Sequence, residues 1–391
     1  MPHDPSVLGL PQYEIKSLEG VGTVVMAVRY TGVVACPHCQ GTGLRAKDFF
    51  IRKLRHTGFG LRPCWMFLES RKFQCRGCGR YFNQRFPGIG RWRRSTEPYR
   101  RQIVAQHHGG ISQHTLAVQE HLGRATVERW YQELWEVKLR ERQNDPCPRV
   151  LGIDEHFFSR KDGYATTLCD LQRHRIFDVT LGRSEKALQG YLEGLIGKSS
   201  VRVICMDLSS TYRAIARKHF PQALIVADRF HVIRLVNQQF LAAWASLDPH
   251  GRSNRGLLSL VRRRPDRLTP DQQIRLRAYL KTQQAFEAIY DFWQRLGRIL
   301  RIKHCTKRQC RRLIPLFLSS LQDLRSSGFF PLVQLSQTLD SWKEEIVRMW
   351  RFTRNNGITE GFHNKMEMIS RRAFGFRNFE NYRLRVKVCC G

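Results

Sequence analysis

Apolar positions alternate with polar ones, between glycines, from Tyr13 to Val34, which predicts strands. Lys47 to Arg55 and Trp65 to Phe73 are two further strand-like segments. At Pro98 the period changes to that of a helix, which runs to His108. A second helix starts at Ile111-Ser112-Gln113, with Ser112 as its N-cap. A turn at His121-Leu122-Gly123 leads to a third helix, Ala125 to Lys138, with Val127, Trp130 and Leu134 inward. Helix, glycine-containing turn, helix is the spacing of a helix-turn-helix, although any three-helix bundle gives the same pattern. Arg140 to Arg149, with Pro146 and Pro148, reads as a linker.

Beyond the linker the pattern is α/β. Val150 to Ile153 is a buried-type strand that ends at Asp154-Glu155. Tyr164 to Leu171 and Arg175 to Leu181 are strand-like, and Ser184 to Ile196 is an amphipathic helix with Ser184 as N-cap. Val201 to Cys205 is a strand that stops at Met206-Asp207. A helix with Tyr212, Ile215, Ala216 and Phe220 on one face ends at Pro221, and a strand from Ala223 to Ala227 stops at Asp228. The order βββαβαβ is that of a ribonuclease-H-like domain, with a mixed five-stranded sheet and flanking helices. From about Phe240 to Arg348 the pattern is wholly helical and reads as an insertion. Polar chemistry returns from Asn355 to Lys365, where an Asn-Gly turn precedes a helix with Glu360 near its start.

Charge sharpens this reading. Of 391 residues, 66 are Lys or Arg and 33 Asp or Glu, a net +33 that opposes compaction unless an anion is near. Nucleic acid is the expected partner. An acidic membrane surface is the weaker candidate, since no basic amphipathic helix stands apart from the fold, and with no apolar run near ~18 residues no membrane span is expected. The N-terminus lacks a secretory pattern, so a cytoplasmic location is expected. Between Arg45 and Arg101 sixteen basic residues face three acids, interleaved with aromatics such as Phe50, Tyr81 and Trp92. That mixture suits phosphate contact and base stacking. It equally describes a solvated basic surface over an aromatic core. In the third predicted helix Arg124, Thr126, Glu128 and Arg129 would face a DNA groove.

Two kinds of candidate metal chemistry stand out. Cys36-Pro37-His38-Cys39 and Cys75-Arg76-Gly77-Cys78 are two knuckles able to present four thiolates to zinc, and the strands between them would bring them together as in a zinc ribbon. Twelve cysteines in an unsecreted chain argue for thiols or metal ligands rather than disulfides. Hard divalent cations need carboxylates instead. Phosphodiester cutting and joining uses two such cations about 4 Å apart, and magnesium or manganese prefers carboxylate oxygens. Asp154 and Asp207 at adjacent strand ends, with Glu360 from a helix, meet that need.

Several stretches together resemble the ISL-three family of bacterial insertion-sequence transposases: GIDE at 152–155, MDLSSTY at 206–212, ADRFHVIRLVN at 227–237 and TEGFHNKMEMISRRAFGFRNFENYRLR at 359–385. The double cysteine knuckle and the helix-turn-helix match the family's layout. The resemblance implies a DDE transposase that binds terminal inverted repeats, cuts the element ends and joins the 3′-hydroxyls to target DNA. It implies a ribonuclease-H-like core interrupted by an all-helical insertion and preceded by a zinc-binding domain and a helix-turn-helix. The expected limits are 1–94 for the zinc domain, 95–145 for the helix-turn-helix, 146–239 and 349–391 for the core, and 240–348 for the insertion. By position the triad is Asp154, Asp207 and Glu360, with magnesium or manganese. Asp228 and His231 form an auxiliary Asp-x-x-His pair. Cys36, Cys39, Cys75 and Cys78 hold structural zinc. Arg124, Thr126, Arg129, Lys365, Arg371 and Arg372 contact DNA. A homo-oligomeric synaptic complex is the family's expected assembly. A regulator that only binds DNA, and a nuclease that cuts without joining, are the rival readings.

Overall fold

The computed structural model describes residues 8–140, 144–352 and 357–391, apart from the side chains of Lys138 and of residues 357–360. The chain divides into two compact units, Met1–Glu141 and Arg142–Gly391.

The first unit is built on a sheet of β1 (Tyr13–Glu19), β2 (Val24–Tyr30), β3 (Leu44–Phe59), β4 (Arg62–Cys75) and β5 (Tyr81–Asn83). Its order is β1-β2-β4-β3, with β5 beside β4. β3 and β4 form a long antiparallel hairpin, from Leu44 opposite Cys75 to Phe59 opposite Arg62. The apolar segments expected from the sequence are the middles of these strands, because backbone pairing continues beyond the apolar part. Met26, Val28, Leu54, Met66 and Leu68 are fully buried between the strands and the segment 8–15. Three helices follow: α1 (Glu97–His108), α2 (Gln113–Gln119) and α3 (Arg124–Arg140). Thr96 and Ser112 cap α1 and α2 by accepting from Tyr99 N–H and Thr115 N–H. Buried His56 on β3 lies 2.9 Å from the Thr96 hydroxyl, which fixes the start of α1 against the sheet.

The second unit has a sheet of order β10-β9-β6-β7-β8. Its strands are β6 (Val150–Ser159), β7 (Gly163–Asp170), β8 (Arg175–Leu181), β9 (Val203–Met206) and β10 (Leu224–Ala227). β6, β7 and β8 are antiparallel in succession. β9 and β10 run parallel to β6 on its other side. Successive residues of β9 feed opposite faces: Ile204 and Met206 join the core under α4 (Glu185–Glu193) and α5 (Ser210–His219), and Cys205 joins the other. That second face also holds Met366 of α14 (Gly357–Arg372) and Tyr382, Val386 and Cys390 of α15 (Phe379–Cys390).

β6 does not end at Asp154 but continues to Ser159, paired with β7 through Asp154 opposite Thr167. β9 and β10 both stop at this level, so Asp154 lies mid-strand where β6 loses one of its two neighbours. The apolar run marked where double-sided burial ends, not where the strand ends.

Between β10 and α14 the described chain is helical: α6 (Arg229–Leu247), α7 (Pro249–Ser253), α8 (Arg255–Arg262), α9 (Pro270–Thr282), α10 (Gln284–Arg301), α11 (Lys307–Arg325), α12 (Phe330–Ser341) and α13 (Lys343–Arg351). These helices enclose a core around Phe240, Trp244, Phe286, Trp293 and Trp350 that also takes in Val203 of β9 and Val226 and Ala227 of β10. Buried Arg229 ties it to the sheet's edge by donating to the carbonyls of Leu300, Ile302 and Met349. Leu300 and Met349 are late carbonyls of α10 and α13, and Ile302 directly follows α10, so a cation suits these helix ends.

Candidate active site and cysteine cluster

In the first unit the hairpin register does the assembly. Leu44 opposite Cys75 places the chain after the first knuckle beside the second. Cys36 N–H donates to Gly41 O at 2.9 Å, and Arg76 N–H to Gly43 O at 2.8 Å, which closes both turns. The thiol atoms of Cys36, Cys39, Cys75 and Cys78 then all lie within 4.8 Å of one another. The pairs Cys36–Cys78 and Cys39–Cys75 are 3.6 and 3.5 Å apart. A tetrahedron with zinc–sulfur bonds of about 2.3 Å has edges of about 3.8 Å, so the four sulfurs fit zinc. The Cys78 backbone N–H, pointing at the Cys75 sulfur, helps draw that thiol down to about 7, toward the thiolate a metal needs. His38 stays outside the cluster, its Nδ1 3.2 Å from the Arg80 guanidinium. Cys64 is fully buried in the apolar core, and burial pushes its thiol up to about 11.

In the same unit, Arg124 begins α3 and is exposed, its guanidinium 2.7 Å from His114 Nδ1. Thr126 is half-buried in the first turn and Arg129 is exposed. Glu128 accepts from Gln113 and, at 3.1 Å, from Gln132, so it is tied to its own helices.

In the second unit the acids gather where the parallel strands end. Ile153, Met206 and Ala227 are register neighbours on β6, β9 and β10. The residue after each is Asp154, Asp207 and Asp228, so three carboxylates start from one edge of the sheet. Asp154 is buried, and burial drives its carboxyl up to about 7; the Glu155 N–H opposes this, and the charges of Asp207, Asp228 and Glu155 add to it. Asp207 is raised as well, first by burial, with His231 opposing and Glu155 and Asp228 adding. One Asp207 oxygen, Oδ1, is buried without a hydrogen-bond partner. Carboxylates that crowd one another with an oxygen left over are short of positive charge, which suits a hard cation.

Asp228 also serves the fold. It caps α6 by accepting from Phe230 N–H at 3.3 Å, and its Oδ2 is 3.6 Å from His231 Nε2. Glu155 pairs with Arg183 at 3.3 Å.

Two histidines not singled out in the sequence stand beside Asp154. His363 of α14 has Nδ1 4.0 Å from Asp154 Oδ2. His156 lies two residues along β6 from Asp154, on the same strand face, 5.5 Å ring to ring from His363. Its ring is fixed between the Thr167 hydroxyl at Nδ1 and the Tyr382 hydroxyl at Nε2, both at 2.9 Å. Burial lowers His156 to about 3 and His363 to about 4, so both rings are neutral near pH 7. An i, i+2 pairing of Asp and His in an apolar strand was the available signal for His156. Glu360 opens α14, three residues before His363, and its side chain lies outside the described residues. Among the described residues, the cysteines are the group positioned to share an ion.

The basic residues of α14 are partly engaged. Lys365 Nζ donates to Cys389 O at 2.9 Å, Arg371 pairs with Glu367 at 2.6 Å, and Arg372 is exposed.

A transposase domain model of the ISL3 family matches residues 151–386, which is more than half of the chain. The chain belongs to the ISL3 family of transposases. A second model, described as the zinc-finger of the transposases of IS204, IS1001, IS1096 and IS1165, matches residues 32–78 and spans both cysteine knuckles. The transposase for insertion sequence element IS1001 from Bordetella parapertussis is 24% identical to this ISL3 member over 370 residues, 91% of this chain and 88% of that protein. Among the described residues no helix is long and apolar enough to cross a membrane.

Proposed function

We propose that this transposase binds the terminal inverted repeats of its element, cuts the DNA there and joins the freed 3′-hydroxyls to target DNA. Asp154, Asp207 and Glu360 are the carboxylates that hold divalent cations for the reaction. The observation that carries the reading is the shared register of Ile153 and Met206, which sets Asp154 and Asp207 side by side. In this reading the second unit is a ribonuclease-H-like core, with α6 to α13 as its helical insertion and α14 returning Glu360 to the sheet. The first unit is a zinc ribbon followed by a helix-turn-helix that presents Arg124, Thr126 and Arg129 to a groove, while Lys365, Arg371 and Arg372 contact backbone nearer the reaction. Assembly of two or more copies on paired ends completes the active form.

Magnesium or manganese, once bound, supplies charge neutralisation at the attacking and leaving oxygens of the phosphodiester. The protein's residues do the rest. Asp154 and Asp207 repel each other, and a divalent cation held between them would relieve that repulsion with both carboxylates ionised. Neutral His363 presents a nitrogen toward Asp154 without adding a competing charge. Asp228 orients His231 toward the same edge. Asp207 is preferred over Asp228 as a ligand because Asp207 keeps a buried oxygen without a partner, whereas Asp228 spends one on the α6 cap.

Incubating the purified protein with magnesium, labelled element ends and a supercoiled plasmid separates the readings. Joined product supports the proposal. Cut ends without joining indicate a nuclease, and a retarded but uncut end indicates a regulator.

A further inference from the structure

The first unit carries a groove of about 820 Å³ between β3, β5 with the segment 84–94 that follows it, and Pro37 and His38 of the first cysteine knuckle. Six cations line it, Arg52, Lys53, Arg85, Arg91, Arg93 and Arg94, and among the described residues no acid does. Flat rings share the wall: half-buried Phe50, exposed Tyr81 and Trp92.

The loop that carries Trp92 is fastened at several points. The Arg52 guanidinium donates to the carbonyls of Gly90 at 3.4 Å and Arg93 at 2.9 Å. Arg55 N–H donates to Arg94 O, Thr96 N–H to Arg55 O and Glu97 N–H to Gly88 O, all between 2.8 and 3.0 Å. Gly88, at φ +72°, packs so closely that a Cβ there would lie 2.2 Å from the Leu10 side chain. Within this frame Trp92 has φ 63° and is 76% exposed. A bulky residue in the left-handed region costs free energy, and an indole in water forgoes burial. Strain of this kind persists where the surroundings impose it, and it clusters at ligand sites. The Arg91 guanidinium lies 5.2 Å from the Trp92 ring centroid, so a cation already stands at the ring.

The occupant must be anionic and must offer an apolar flat face. A second copy of a chain carrying +33 is disfavoured by a groove lined with cations and no acids. Paired duplex offers phosphates but hides its base faces. An unstacked base offers both, because every base has a π-face and each stacking contact is sequence-tolerant.

We propose that the groove holds DNA with one unpaired base laid against Trp92, the phosphates on either side meeting Arg85, Arg91 and Arg94. This rests on the reading of the chain as a DNA-end-binding transposase.

The test uses the full-length, zinc-loaded protein and duplexes of the element's own terminal sequence, with 2-aminopurine at successive positions. The expected result is a change in emission at one position, lost in Trp92→Ala and retained in part in Trp92→Phe. For a duplex with a single unpaired base at that position, Trp92→Ala weakens binding at least about fivefold, while binding of the paired duplex changes less than about twofold. Zinc content and circular dichroism matching wild type establish that the variants fold. Equal weakening on both duplexes overturns the proposal and makes Trp92 part of a general duplex surface. Unchanged DNA binding with altered sedimentation overturns it in favour of a second copy. Failure of the wild-type protein to bind either duplex overturns it together with the DNA reading on which it rests.

Discussion

Asp154 and Asp207 are neighbours because Ile153 and Met206, the residues before them, are partners in a parallel pair of strands. The sequence separates them widely, and one register unites them. A shift of one residue in that pairing would turn one carboxylate to the opposite face. The β6–β9 register is therefore the structural condition for any shared chemistry at this edge.

The cysteine cluster sets the first expectation. The protein should carry one zinc per chain by elemental analysis. Cys75→Ser should abolish that zinc and, since structural zinc sites contribute folding energy outright, unfold the first unit. Loss of protection from proteolysis confined to residues before 141, with the second unit intact, is the predicted pattern.

His56 sets a pH expectation for the same unit. Burial pushes this histidine down to about 4, against an ordinary 6.5. The unfolded chain therefore binds more protons between those values, so this contribution to stability is fully present above about 6.5 and is lost as pH falls toward 4. It amounts to roughly 3 kcal/mol at about 1.4 kcal/mol per pKa unit. Thermal melts of wild type against His56→Gln at pH 7 and pH 4.5 check it: the wild type should lose more stability over that interval than the variant.

An ion pair between half-buried Arg383 and buried Asp178 fastens α15 to the sheet. Arg383 donates from Nη2 and Nε to the two oxygens of Asp178 on β8, at 2.6 and 2.8 Å, with Lys387 3.6 Å away. These cations hold the Asp178 carboxyl below its usual range despite burial. Arg383→Leu leaves a buried charge with a weaker partner and should cost roughly 3 kcal/mol in urea denaturation. The double variant Arg383→Leu, Asp178→Asn should recover a substantial part of that loss. A single variant as stable as wild type would contradict the role given to this pair.

The alternation and the 3.6-residue spacing made the strands and helices legible because each element buries one face. The knuckle spacing made the cysteine cluster legible for a similar local reason. Long-range partners were not legible. The extension of β6 past Asp154 depends on pairing with β7, which leaves no apolar mark. His156 and His363 meet only because α14 folds back onto the face of β6. Arg229 reads in sequence as one more basic residue in a basic chain, yet it is buried on three carbonyls from distant helices. The Asp178–Arg383 pair spans two elements that no local pattern connects.

The most direct measurement compares wild type, Asp154→Asn and Asp207→Asn for cleavage and strand transfer of a labelled element end across a magnesium titration. Both variants should bind the end as wild type does and lose more than about 100-fold in cutting and joining, because even partners outside a metal's ligand shell are worth about 10–100-fold. Either variant joining ends at the wild-type rate would contradict the role given to these carboxylates.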